Sequence, residues 1–233
     1  MKTLTKYLNE KLVINQRFDE KLIINKDYKD GHIYTCTPKS FEELRKIIDD
    51  RHNKLGAGTK QKPIDFNDID VINIDSFYNE NNSGIFAGTK FEYIDISDWD
   101  VSNVKDMHNM FFVCKELKSI GDLSNWDVSN VRSMSYMFFA CEQLKSVGDL
   151  SKWDVSNVEA MSFMFNDCEQ LKSIGDLSNW NVSKVENMWN MFYLCKQLKS
   201  VGDLSNWNVS RVKYMNNIFK ESGITNIPGW YKE

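Results

Sequence analysis

Five tryptophans, Trp99, Trp126, Trp153, Trp180 and Trp207, stand 27 residues apart, and four cysteines, Cys114, Cys141, Cys168 and Cys195, keep the same interval. A fixed period between 20 and 50 residues means stacked supersecondary units, none of which can bury its apolar side alone. One unit reads Leu117-Lys118-Ser119-Ile120-Gly121-Asp122-Leu123-Ser124-Asn125-Trp126-Asp127-Val128-Ser129-Asn130-Val131, followed by Met134, Met137, Phe138 and Cys141. This pattern excludes an ordinary enzyme domain for the C-terminal half. It also governs how the cysteines are read. Disulfide frameworks belong to short exported chains, and zinc sites need closely spaced Cys or His pairs. One buried, reduced thiol per unit fits the even interval better, with Cys serving as a small hydrophobe.

Each unit carries two periodicities. Leu117, Ile120, Leu123 and Trp126 lie in a Gly-punctuated extended stretch, which predicts a short strand and a turn. Val131, Met134, Met137, Phe138, Cys141 and Leu144 fall on one side of a 3.6-residue wheel, which predicts a short inward-packing helix. The expected fold is therefore α/β, a solenoid of short parallel strands and short helices, its turns about 4.8 Å apart.

The ends depart from the repeat as capping units do. After Trp207 the last unit shortens through Ile224, Ile227 and Pro228 to Trp230. Upstream, Ile69 to Phe77 is a degenerate copy, so the stack is expected over 64–230 and a capping region over 1–63. Within that cap, Glu10-Lys11-Leu12-Val13-Ile14-Asn15 recurs as Glu20-Lys21-Leu22-Ile23-Ile24-Asn25, two β-branched runs that predict strands. Ser40 and Glu43 form a capping box opening a helix over 41–53, with Gly56 as its C-cap.

The string Leu-Ser-Asn-Trp-Asp-Val-Ser-Asn-Val, followed by Met-x-x-Met-Phe, Cys and Leu, resembles the repeat of the BspA-like leucine-rich-repeat proteins, found among bacterial surface proteins and mycoplasma lipoproteins. The resemblance covers roughly residues 64–230, and Thr37 to Leu44 resembles the leader helix that often precedes such repeats. It implies a leucine-rich-repeat-like solenoid that binds proteins, commonly in adhesion. Polar residues break every apolar run near Met1, unlike the surface-anchored members, and nowhere are there 18 consecutive apolar residues. A cytoplasmic protein, bacterial or phage-encoded, is the expectation. A surface adhesin or virion component is the alternative.

Other chemistries find little support. Net charge is −4, and the repeats hold the excess acid, which argues against nucleic acid as the partner. His32 and Cys36 lack an orienting acid and an oxyanion site. Gly56-Ala57-Gly58-Thr59-Lys60 follows a predicted helix, whereas a phosphate loop follows a strand. Two Asp columns, one at Asp122, Asp149, Asp176 and Asp203 and one at Asp100, Asp127 and Asp154, raise the question of calcium. Lys118, Lys145, Lys172 and Lys199 stand four residues before the first column and are expected to neutralise it, while the second becomes Asn181 and Asn208, as turn positions do. No catalytic residue, cofactor or metal is assigned.

Columns that never vary are architecture, so binding is sought in those that do. On the expected helix one outward column reads Asn109, Tyr136, Phe163, Asn190, Asn217, and another Phe112, Phe139, Asn166, Tyr193, Lys220. Trp189 adjoins them in a column that otherwise holds His108, Ser135, Ser162 and Asn216. Phe112, Tyr136, Phe139, Phe163, Trp189 and Tyr193 are the candidate partner-binding residues, and a non-enzymatic protein-interaction module is the expected function.

Overall fold

A computed structural model of the chain describes residues 28–29 and 32–232. The β-branched runs at 10–15 and 20–25 lie outside the described residues. The chain first forms a small antiparallel hairpin, β1 (Tyr28–Lys29) with β2 (His32–Ile33), and then one helix, α1 (Phe41–Leu55). Ser40 caps that helix through its hydroxyl, which accepts from the Glu43 N–H, and Gly56 closes it at φ 75°. The helix thus runs slightly beyond the expected 41–53. Beyond it β3 (Ile64–Asp65) pairs in parallel with β4 (Ile94–Asp95).

From there on, structure is carried between coils rather than within elements. Single parallel bridges link Asp106 to Ser133, Ser133 to Ala160, Ala160 to Asn187 and Asn187 to Tyr214, one per 27-residue unit. A further set joins Tyr93 to Ser119 and Ser146 to Ser173. Each coil therefore lies on the previous one in register, and identical residues come to stand above one another.

The helix expected over Val131 to Leu144 is not formed. The N–H groups of Met134, Tyr136, Phe138 and Ala140 leave their own coil and donate to the carbonyls of Ala160, Ser162, Met164 and Asn166 at 2.9 Å. Those of Met137, Phe139 and Cys141 close turns onto Met134, Tyr136 and Phe138. In the first and last of these turns the third residue, Tyr136 (φ 57°) or Ala140 (φ 54°), is left-handed, which no α-helix accommodates. The six apolar positions are nonetheless all fully buried, so the periodicity reported the buried face and not the backbone. Among the described residues, two further helical pieces are 3₁₀ turns, Leu150–Lys152 and Leu204–Asn206, in the stretch read as strand.

Three ladders hold the coils together from inside. Each indole N–H reaches back one coil: Trp126 to the Ile96 carbonyl, Trp153 to Leu123, Trp180 to Leu150 and Trp207 to Leu177, at 2.9–3.2 Å. Each buried thiol does the same, with Cys114, Cys141, Cys168 and Cys195 donating to the carbonyls of Phe86, Phe111, Phe138 and Phe165 at 3.0–3.2 Å. The rings of Phe86, Phe111, Phe138, Phe165, Phe192 and Phe219 stack in sequence, 5.1–6.0 Å apart. A buried carbonyl without a donor costs about 1–3 kcal/mol. Trp and Cys therefore recur because each serves one such carbonyl while filling the core.

At its first coil the stack meets α1. Leu44 and Ile48 of that helix are fully buried in the same core as Phe66 and Ile69. Arg45 Nη1 lies 3.2–3.4 Å from the carbonyls of Gly84, Ile85 and Ala87, of which Gly84 also accepts the Ala87 N–H at 3.0 Å, while Asp49 holds its Nε at 3.0 Å. Arg51 clamps the same junction, donating to both Asp68 carboxylate oxygens at 2.6 and 2.8 Å.

Candidate functional site

The column Asn109, Tyr136, Phe163, Asn190, Asn217 has φ between 54° and 59° at every level. Asn tolerates this left-handed region, whereas a bulky aromatic residue there is a conformational outlier worth roughly 1–2 kcal/mol. Three coils use Asn and two use an aromatic ring at the same backbone position. Tyr136 and Phe163 lie face to face, centroids 4.5 Å apart and planes 8° apart. The small residues beside them, Ser135 and Ser162, are only 4% and 6% exposed and bond to one another at 3.0 Å.

Around this pair the rings form a continuous strip. Phe112 stacks on Phe139 at 5.1 Å, and Phe139 meets Tyr136 at 5.5 Å and Phe163 at 6.1 Å. Trp189 follows Phe163 at 5.3 Å and is 45% exposed, whereas the other four are half-buried. Five of the six sequence candidates are therefore brought together. Tyr193 stands apart: its hydroxyl bonds Glu221 at 3.3 Å, and Asn166, in its own column one coil below, is buried.

Two members were missed. His108 stacks obliquely on Tyr136 at 5.5 Å, on the level of Phe112, and Tyr78 meets His108 at 4.6 Å, extending the strip by one level. Burial holds the His108 imidazole below its ordinary value, so the neutral form prevails there. His108 shares the Trp189 column, and that was the available signal. Tyr78 belongs to a degenerate coil whose register the repeat did not give.

One flank of the strip is acidic. Asp167, next to Asn166, has its carboxyl pushed up by burial and then by the neighbouring Glu142 and Glu169. Lys115 pairs with Glu142 at 2.7 Å, and Lys196 bonds Glu169. Among the described residues Asp167 itself forms no ion pair within 4 Å, though Lys196 and Lys115 lie near enough to act on it.

The remaining candidates resolve into structure. Asp122, Asp149, Asp176 and Asp203 each accept the N–H of the residue two ahead, at 2.9–3.0 Å, and the second column repeats this with Asp127, Asp154, Asn181 and Asn208. Donors on Ser151 and Ser205 hold Asp149 and Asp203 below the usual carboxylate range. Two of the four lysines expected to neutralise them point elsewhere, Lys118 to Glu92 and Lys199 to the Lys196 carbonyl. Gly148 explains the close packing there, since a Cβ on it would lie 2.0 Å from Asp122 Oδ1. Burial pushes the Cys36 thiol up, the reverse of an activated nucleophile. His52 packs edge-on against Phe91 at 4.7 Å. No helix among the described residues is long and apolar enough to cross a membrane.

Comparison with curated proteins and with solved structures gave no match. A family model does match, over residues 73–200 and again over 146–230, so both matches fall on the stacked coils. The chain belongs to that family, described as Mycoplasma protein of unknown function, DUF285, a family of BspA-like repeats.

Proposed function

We propose that the chain is a non-enzymatic protein-binding module, a leucine-rich-repeat-like solenoid that captures a partner protein on the strip formed by Phe112, Tyr136, Phe139, Phe163 and Trp189. The observation that carries this reading is the backbone at Tyr136 and Phe163, where left-handed positions that hold Asn in three sister coils hold rings instead. Left-handed backbone recurs in a second column, at Val113 and Leu194 among others, so what distinguishes Tyr136 and Phe163 is the choice of a ring where sister coils keep Asn. The rings face one another along the stack, so the interior pair offers edges rather than faces. Such a surface suits the aliphatic and aromatic side chains of a protein better than flat-stacking sugars or bases.

Its seat in this reading is the cytoplasm of a bacterial cell. The four ladder thiols act as S–H donors, a role that requires them reduced and so favours a reducing compartment. The test is capture from a bacterial lysate by immobilised protein, comparing the parent chain with Phe139→Ser/Trp189→Ser. The expected result is a specific partner lost in the variant while its circular dichroism is unchanged. Equal capture by both chains refutes the strip as the binding face.

A further inference from the structure

We propose that the partner element is a basic amphipathic α-helix lying along the stack, across the coils rather than parallel to them; this rests on the strip being the binding face. The first support is spacing. The strip rises one ring per coil, from Tyr78 to His108, Tyr136, Phe163 and Trp189, in steps of 4.6, 5.5, 4.5 and 5.3 Å. A helix repeats its apolar side every turn, about 5.4 Å, and every 3.5 residues, about 5.3 Å, in a heptad pattern. An extended strand presents same-face side chains about 6.6 Å apart. Over four steps a strand drifts out of register by roughly a whole ring, whereas a helix of about four turns keeps one apolar residue over each level.

The second support is charge. Asp167, which follows Asn166 of the Phe112–Phe139 column, stands among Glu142 and Glu169, each of which is answered by one lysine, Lys115 and Lys196. Three carboxylates against two lysines leave that border one negative charge in surplus, at Asp167. A helix seated on the rings therefore gains by placing Lys or Arg along one edge of its apolar face, the arrangement in which apolar anchors bind and charge sets orientation.

The test uses three synthetic 18-residue probes and the full chain, read by fluorescence anisotropy at physiological salt. One probe is a Leu/Lys helix with Leu at i, i+3, i+4 and i+7, the second has the same composition with Leu at alternate positions, and the third replaces Lys by Glu in the helical pattern. The Leu/Lys helix is expected to bind at least tenfold tighter than either control. Tyr136→Asn/Phe163→Asn should weaken it tenfold or more, and Asp167→Asn/Glu169→Gln about threefold. Equal or tighter binding of the alternating or the acidic probe overturns the proposal, as does Leu/Lys binding indifferent to the ring substitutions. If no probe binds, the helical partner is refuted, while the strip itself still stands or falls on lysate capture by the Phe139→Ser/Trp189→Ser chain.

Discussion

The inside and the outside of the same coils follow opposite rules. Inward, Trp126, Trp153, Trp180 and Trp207 are interchangeable, each meeting the carbonyl of a Leu or Ile 30 residues earlier. Outward, the left-handed column changes from Asn to Tyr to Phe and back to Asn while its φ stays within a few degrees. A job repeated at every level selects one residue, and a job done once, across several levels, selects a different residue at each. Regularity therefore marks support and irregularity marks contact.

Breaking the inner rule should cost most. Trp153→Ala removes a buried indole and leaves the Leu123 carbonyl without its donor, so urea denaturation should show a loss of about 3–5 kcal/mol. A loss below about 1 kcal/mol would mean the ladder is not what binds coil to coil. Arg45→Ala comes next, at about 2 kcal/mol, because the carbonyls of Ile85 and Ala87 lose the guanidinium donor, while Gly84 keeps the Ala87 N–H. Hydrogen exchange should then rise first in the coils nearest α1; uniform loosening would contradict a local cap.

The thiol ladder gives a pH-dependent test. Burial pushes the thiols of Cys141, Cys168 and Cys195 well above their ordinary value. In the unfolded chain they ionise near pH 8.5, so their contribution is full below that pH and is lost as pH rises toward the folded values. Stability should fall from about pH 8.5 upward, by about 1.4 kcal/mol per pH unit for each of these thiols. Cys168→Ala should flatten that slope by one such increment; an unchanged slope would show that the thiol ionises freely in the fold.

The sequence revealed the inner rule far better than the outer one. The 27-residue interval located Trp126 and Cys141, and the apolar spacing located six buried side chains from Val131 to Leu144, though not Ser135 and Ala140, which are buried beside them. It misassigned the backbone between them because two left-handed turns per coil bury the same offsets as a helix. The clue lay in the Asn109, Asn190 and Asn217 column, where Asn signals positive φ more readily than a helical surface. Lys118 was matched to Asp122 within its own segment, but its ammonium reaches Glu92 on the preceding coil, a pairing that register alone determines. Tyr78 was invisible for the same reason, since its coil keeps the ladder but not the interval.

The smallest expected change in stability is also the most informative, in Tyr136→Asn/Phe163→Asn. Each replacement restores the residue used by sister coils, relieving a left-handed aromatic worth roughly 1–2 kcal/mol and giving up ring stacking worth about 0.5–1.5 kcal/mol. The measurement is urea denaturation and partner capture on the same preparation. If the rings are kept for contact, the variant unfolds within about 1 kcal/mol per site of the parent and captures nothing. A variant that loses several kcal/mol, or that captures as the parent does, would contradict that claim and return both rings to the architecture.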